Sequence, residues 1–188
     1  MKRLLSRLFY KIAVKLKNVY ETAEFRLAVK NGMKVGKNFN RLGGCIFDPS
    51  HCFLIQIGDN VTLAPSVHIL AHDASTKREL DYTKIGKVVI GNNVFIGANT
   101  TVLPGVTIGD NTVIGAGSVV ASDIPENTVA AGNPAKIIMS YDAYMDKNRN
   151  KMTADITFDD TYKISVIDST KKQEIKDKLD RNRIGYIK

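Results

Sequence analysis

The chain has 188 residues, which is long enough for one domain with a hydrophobic core but too short for two full domains. Its formal net charge is +8, yet residues 90–125 contain no Lys or Arg, so the charge belongs to the ends of the chain and not to its centre. The two cysteines, Cys45 and Cys52, exclude a disulfide framework and a CxxC metal site, and we expect two reduced, buried thiols.

Residues 1–31 predict a basic amphipathic helix that Asn31-Gly32 ends. Its apolar residues recur at spacings of three and four, and they are Leu4, Leu8, Ile12, Leu16, Val19, Ala23 and Leu27. Arg7, Lys11 and Lys15 interrupt every apolar run, which argues against a signal peptide or a membrane span and favours the cytoplasm. The basic face fits a helix at the inner surface of the membrane, and a cap over the core or a neighbouring subunit is the alternative.

Residues 35–138 predict a parallel β-helix, because a six-residue period runs through them. The first positions of consecutive units are branched aliphatics: Ile90, Ile96, Val102, Ile108, Ile114 and Val120. The fifth positions are small or β-branched: Val94, Thr100, Val106, Thr112, Ser118 and Ile124. A short strand and a turn fit each unit, and three units form one triangular coil that stacks on the next. A β-sandwich would not keep one register over six units.

The period is imperfect near its start, becomes clear at Ile57 and Leu63, and breaks again over residues 70–88 before it resumes at Ile90. We therefore expect an inserted loop at 70–88. The period does not determine the handedness of the coil.

Residues 139–188 predict a small C-terminal appendage that caps the array. Alternation over residues 156–168 indicates a strand pair or an edge strand. Thr170 followed by Gln173 predicts a capping box and a helix that extends to about Arg181.

Three histidines are candidates for acid–base chemistry, because unperturbed imidazole titrates near pH 6.5. His72 is our candidate for the general base, since it stands where the regular repeat gives way to a polar loop. We interpret His51 and His68 as surface or packing residues, with His68 in the turn of its unit. Asp73 either orients another group or is solvated, and its pairing with His72 is left open, because neighbours in a strand point apart.

Three segments carry a resemblance to a known family: "IGDNVTLAPSVHILAHD", "IGNNVFIGANTTVLPGVTIGDNTVIGAGSVV" and "SDIPENTVAAGNPAKII". Over about residues 35–138 the chain resembles the hexapeptide-repeat acyltransferases, and within them the sugar and polysaccharide O-acetyltransferases similar to the maltose and galactoside enzymes. The resemblance implies a left-handed parallel β-helix, a homotrimer and active sites between subunits. It also implies acetyl-CoA as co-substrate, with no metal expected.

The family's functional residues transfer to matching positions of this sequence. His72 takes the place of the catalytic histidine. Asn40 and Asp48 take the places of the sugar contacts, and PSHC lengthens the spacing between Asp48 and IGDN. Ala98, Ala116 and Ser122 would contact acetyl-CoA, and Lys136 would approach a phosphate of its nucleotide.

The resemblance implies an acetyl-CoA-dependent O-acetyltransferase of polysaccharide biosynthesis, acting on a hydroxyl of a sugar, a nucleotide sugar or a polysaccharide precursor. No nucleic-acid partner is expected. Three alternatives stay open: an N-acetyltransferase on an amino sugar, a zinc protein similar to the γ-class carbonic anhydrases with three histidine ligands, and a non-catalytic β-helix scaffold.

Overall fold

A computed structural model describes residues 22–188 of the chain. Backbone contacts divide it into two compact units, Met1–Tyr141 and Asp142–Lys188. Most of the predicted N-terminal helix lies outside the described residues. Residues 22–30 are helical and are labelled α1. The helix ends as expected, with the Asn31 N–H donating to the Leu27 carbonyl and Gly32 at a φ of +105°.

Three parallel sheets wind the first unit into a β-helix, because each coil contributes one short strand to each sheet in turn. The first sheet contains β1 (Lys34–Val35), β4 (Ile55–Ile57), β9 (Val88–Ile90) and β12 (Thr107–Ile108). The second contains β2 (Asn40–Arg41), β5 (Thr62–Leu63), β10 (Phe95–Ile96), β13 (Val113–Ile114), β15 (Thr128–Ala131) and β16 (Lys136–Ser140). The third contains β3 (Ile46–Phe47), β6 (His68–Ile69), β11 (Thr101–Val102) and β14 (Val119–Val120). The pairing is parallel throughout, except that β16 turns back antiparallel on β15.

The core of the β-helix consists of the residues that the period singled out. All six first-position aliphatics and all six fifth-position residues from Ile90 to Ile124 are buried. Burial of a full aliphatic side chain stabilises a fold by roughly 1.5–3 kcal/mol, so these two ladders supply most of the driving force for stacking. The predicted architecture of parallel six-residue units is confirmed.

Asparagines form a ladder along the corner between the first and second sheets. Each of the first four side-chain amides donates to the side-chain oxygen of the asparagine one coil further on, at 2.9–3.0 Å, and the members are Asn38, Asn60, Asn93, Asn111 and Asn127. All five have a φ between 52° and 56°. Asparagine tolerates this left-handed conformation better than most residues, so it both makes the turn and links the coils.

The corner between the third and first sheets is irregular in the first two coils. In the first coil it holds a 3₁₀ turn at Cys52–Leu54. In the second coil it holds the expected insertion, an antiparallel hairpin of β7 (His72–Asp73) and β8 (Lys84–Ile85). Between these strands lie a 3₁₀ turn, Ala74–Thr76, and the short helix α2 (Lys77–Leu80).

The second unit contains two helices, α3 (Tyr141–Arg149) and α4 (Ser169–Asn182), two short parallel strands, β17 (Thr157–Phe158) and β18 (Tyr186–Ile187), and 3₁₀ turns at Ala154–Ile156 and Asp160–Tyr162. The alternation over 156–168 produces a strand only at β17, because the Asp159 carboxylate accepts from the Thr161 N–H and turns the chain. The capping prediction was also wrong in its residue: Asp168, not Thr170, caps α4 by accepting from the Lys171 N–H.

Both cysteines are buried thiols outside any disulfide, as expected from the sequence. Among residues 22–188, no helix is long and apolar enough to span a bilayer.

Candidate active site

His72 and Asp48 meet at the irregular corner. His72 follows β6 in the second coil, and Asp48 follows β3 directly beneath it in the first coil, since Phe47 is paired with Ile69. The His72 Nδ1 lies 2.5 Å from Asp48 Oδ2, and the same oxygen accepts from the Ala71 N–H at 2.8 Å. Two stacked coils therefore place an imidazole on a carboxylate that is 24 residues away in sequence.

Asp48 is buried and saturated with hydrogen bonds. Its side chain has a relative exposure of 0%, and its second oxygen, Oδ1, accepts from the Ser50 N–H at 3.0 Å and the His51 N–H at 2.8 Å. Burial raises the pKa of this carboxyl, but the hydrogen bonds from Ala71, His51, His72 and Ser50 outweigh burial and hold the pKa below its usual range. Asp48 is therefore a buried carboxylate ion.

The sequence predicted Asp48 as a sugar contact. In this chain its side chain has no exposed surface, and both of its oxygens accept hydrogen bonds from its own chain. Its position beneath the ring instead fixes the proton of His72. The carboxylate only accepts, so in the neutral ring Nδ1 carries the proton and Nε2 keeps its lone pair. The His72 side chain is 32% exposed, which leaves its ring accessible from the corner.

His51 is a second imidazole at this corner, and our interpretation of it as a surface or packing residue missed this placement. Its ring centroid lies 5.2 Å from that of His72, with 42° between the ring planes. It belongs to the PSHC segment, which lengthens the corner of the first coil. That segment stacks under the coil that carries His72, and this was the one signal in the sequence that could have linked the two histidines.

Asp48, His51 and His72 each offer a ligand atom within 4.8 Å of the others. This set differs from the three histidines of the zinc alternative, because His68 lies on β6, paired with Ile46 and Thr101, and is not in the group. Our expectation that His68 lies in the turn of its unit was wrong, because His68 is a strand residue of β6. A cation here would have to displace donors from Asp48, since both oxygens already accept two hydrogen bonds.

The inserted hairpin is tied at its base by Asp73 and Lys84. Lys84 Nζ lies 2.5 Å from Asp73 Oδ2, and the Asp73 carboxylate also accepts from the Ser75 N–H. The hydrogen bond from Lys84, followed by that from Ser75, holds the pKa of Asp73 well below its usual range. The Asp73 carboxylate thus pairs with Lys84 and Ser75, which answers the question that the sequence left open about its partner. The tip of the hairpin exposes apolar side chains at Leu80 and Tyr82.

The positions expected to contact acetyl-CoA lie mostly at another corner. Ala98 and Ala116 occupy the corner between the second and third sheets in adjacent coils, where the Gly117 N–H donates to the Ala98 carbonyl at 2.8 Å. A Cβ at Gly97 would lie only 2.4 Å from the Ala116 nitrogen, so the coils touch through their backbones there. The residues next to the two alanines are glycines: Gly97, Gly115 and Gly117.

The remaining predicted residues are exposed and separate. Ser122 follows β14, on the same corner as His72 but in a later coil, and Lys136 begins β16. Asn40 begins β2 on the second sheet, and its N–H donates to the Val61 carbonyl. Within one chain, therefore, His72 and Asp48 are together, whereas His72 and the two alanines lie at different corners.

The six-residue units define the chain as a hexapeptide-repeat β-helix. The histidine that contacts a buried aspartate at the corner with the insertion is its candidate active site. The sequence profile described as "Bacterial transferase hexapeptide (six repeats)" matches residues 87–122. Residues 87–122 therefore carry the repeats of this family.

Relatives of known name support the same assignment. The chain is 48% identical to Protein CapG of Staphylococcus aureus over 102 residues, which is 52% of this chain and 59% of that protein. It is 48% identical to the galactoside O-acetyltransferase of Escherichia coli (strain K12) over 91 residues, 46% of this chain and 44% of that enzyme. A crystal structure of a maltose O-acetyltransferase from Clostridium difficile 630 matches with a TM-score of 0.50 and 46% identity, covering 56% of this chain and 57% of that one.

The chain spans about half the length of these curated relatives. The shared part contains the repeats, so the similarity concerns the repeat region of the chain.

Proposed function

We propose that this protein is an acetyl-CoA-dependent O-acetyltransferase that acts on a hydroxyl group of a sugar, a nucleotide sugar or a polysaccharide precursor. The observation that carries the proposal is the hydrogen bond from His72 Nδ1 to the buried Asp48 carboxylate. It leaves a basic Nε2 on an accessible ring. The named activities of the galactoside and maltose relatives support the choice of reaction and of acceptor class.

His72 acts as the general base. Its Nε2 takes the proton of the acceptor hydroxyl as the oxygen forms a bond to the thioester carbonyl carbon, and it returns the proton to the sulfur as the carbon–sulfur bond breaks. Asp48 holds the productive tautomer and stabilises the imidazolium that forms in between, without becoming protonated itself. Asp48 is thus a positioning residue in this proposal, in place of the sugar contact expected from the resemblance.

The active site is proposed to lie between subunits of a homotrimer. Acetyl-CoA would lie along the corner of Ala98 and Ala116, which is a different corner from that of His72. A neighbouring subunit that packs its alanine corner against the histidine corner brings the two halves together, which one chain alone does not. We propose a left-handed coil, as in the family, with Ser122 beside the cofactor and Lys136 near a nucleotide phosphate.

Two features of the surface fit an acceptor at this seam. Asn40 offers an exposed amide, which we keep as a proposed sugar contact. The hairpin that begins at His72 exposes Leu80 and Tyr82, and an aromatic face is a common platform for a sugar ring. Residues 73–88 would therefore shape the acceptor pocket.

The experiment is an acetyl-transfer assay with acetyl-CoA and a panel of glycans and nucleotide sugars, read as the release of free thiol. The matched pair of variants is His72→Ala and His68→Ala, because both histidines are partly exposed and only His72 contacts Asp48. We expect transfer by the wild type and by His68→Ala, and a loss of about 10²–10⁴-fold in kcat for His72→Ala. Unchanged transfer in His72→Ala would favour the non-catalytic scaffold.

We propose a cytoplasmic location, with the basic N-terminal residues as a contact to the inner face of the membrane. The charge pattern of the sequence supports this part of the proposal. Flotation with anionic vesicles, with and without residues 1–30, measures the contact. Equal flotation of the two proteins would refute membrane docking.

A further inference from the structure

The ring of His51 has one buried nitrogen without a hydrogen-bond partner. Among the residues that the structure describes, Nδ1 of His51 is the one buried side-chain nitrogen or oxygen in this state. The carboxylate oxygen of Asp48 lies 3.9 Å away, which is beyond hydrogen-bond distance. That oxygen is already engaged by the backbone N–H groups of Ser50 and His51.

This environment determines where the proton of His51 lies. A neutral imidazole with its proton on Nδ1 would bury a donor that has no acceptor, which is disfavoured. The neutral ring therefore carries its proton on Nε2, and a protonated ring carries one there as well. The side chain is 28% exposed, and since Nδ1 is buried, Nε2 is the polar atom left for that exposed part.

His51 and His72 thus present opposite hydrogen-bonding groups at one corner. His72 offers the lone pair of Nε2, because its Nδ1–H donates to Asp48. His51 offers an Nε2–H donor. The ring centroids are 5.2 Å apart, a separation that a single oxygen can bridge with hydrogen bonds of about 3 Å to each ring.

We propose that His51 is a further catalytic residue of this site, and that it donates a hydrogen bond to the acceptor oxygen and thereby selects a hydroxyl over an amine. The inference rests on the proposed function. An alcohol oxygen has two lone pairs, so one can accept from His51 while the other forms the new bond to the carbonyl carbon. Its proton passes to His72, and the thiolate leaves with that proton. A neutral amine has a single lone pair, which cannot serve both purposes.

The test compares His51→Phe, which keeps a ring but removes the donor, with His51→Gln, which restores an N–H donor, and with the control His68→Phe. Each variant is assayed with acetyl-CoA and two probes, a methyl galactoside and a methyl glycoside of glucosamine, and the O-acetyl and N-acetyl products are measured separately. We expect His51→Phe to lower kcat/KM for the hydroxyl probe by about 10- to 100-fold, with the loss mainly in the acceptor's KM and with little change in KM for acetyl-CoA. The glutamine variant regains part of this loss.

Transfer to the amine is expected to change by less than about threefold, because the amine makes no bond to His51. An unchanged rate with the hydroxyl probe would overturn the proposal. A parallel loss for both probes and for acetyl-CoA binding would overturn it as well, since that pattern indicates a purely structural role.

A spectroscopic measurement separates this inference from the proposed function. Long-range ¹H–¹⁵N correlation spectra of the ¹⁵N-histidine-labelled full chain report the tautomer of each ring, with the His51→Phe variant supplying the assignment. We expect the Nε2–H form for His51 and the Nδ1–H form for His72. An Nδ1–H form of His51 would overturn the inference even if acetyl transfer is robust. Absence of transfer by the wild type to every acceptor would instead refute the proposed function.

Discussion

Replacing Asp48 by Asn tests the core of the proposed site, because it exchanges one acceptor oxygen for an NH₂ group at nearly constant volume. The carboxylate accepts from four donors, the N–H groups of Ser50, His51 and Ala71 and the ring of His72. In the carboxylate, one oxygen accepts from Ser50 and His51 and the other from Ala71 and His72, and the single oxygen of the amide can accept from only one of these two pairs. If it serves Ser50 and His51, the NH₂ group faces Ala71 and His72.

That orientation costs only the hydrogen bond from the Ala71 N–H. The contact with His72 is kept, because the ring can accept from the new NH₂ group. The opposite orientation leaves two backbone donors without an acceptor, so the first is favoured. The Ala71 residue is fully buried, and its unsatisfied N–H costs about 1–3 kcal/mol of stability. When Nδ1 of His72 accepts, its proton moves to Nε2, and the base is lost. We expect kcat to fall by roughly 10³–10⁴-fold, the size of effect known for a wrong tautomer in a serine-protease triad.

The assay is thiol release with the best acceptor of the panel, together with thermal unfolding of the same samples. A matched control is Asp59→Asn. The Asp59 carboxylate accepts a hydrogen bond from the Lys37 N–H, and one coil later the side-chain oxygen of an asparagine, Asn92, accepts from the Asp59 N–H in the same way. We expect the control to keep full activity. An Asp48→Asn protein that retains more than a tenth of the wild-type kcat would refute the tautomer argument.

Three further predictions concern the fold around the site. Asn93→Ala removes two ladder hydrogen bonds and places alanine at a φ of 55°, so we expect a loss of about 1–3 kcal/mol in the free energy of unfolding by urea. Gly97→Ala drives a Cβ to within 2.4 Å of the Ala116 nitrogen, and we expect about 1–3 kcal/mol of destabilisation and a weaker affinity for CoA by calorimetry; unchanged values would contradict the close backbone contact. The folded-state pKa of Asp48 is lowered, so its contribution to stability is complete above the unfolded pKa of about 4 and is lost as the pH falls through the lower folded value. The wild-type melting temperature should therefore decline more steeply in acid than that of Asp48→Asn.

The six-residue period predicted the core of the β-helix because burial in this fold is a local property. The first residue of each unit points into the coil, as Ile96 and Ile114 show. Stacking then places equivalent residues of successive coils on each other, so burial does not depend on residues far away in the sequence. The break at 70–88 likewise located the inserted hairpin and His72 at its start.

The role of Asp48 could not be predicted in the same way. Its burial depends on donors from two segments, the turn that contains Ser50 and His51 and the Ala71–His72 step of the next coil. Only stacking of the irregular corners brings those segments together. In the C-terminal unit, the alternation after Thr157 failed for a comparable reason, since the Asp159 side chain competes with strand pairing by capping a turn.

The position of the site follows from what the other corners must do. The corner between the first and second sheets is fixed by the asparagine ladder, and that between the second and third sheets by the close approach of Gly97 to Ala116. An insertion at either one would separate bonded coils. The corner between the third and first sheets has neither the asparagine ladder nor this close backbone contact in its first two coils, so its turns can lengthen without separating the coils. Because both lengthened turns lie at this same corner in consecutive coils, His51 and His72 are set side by side on one buried carboxylate.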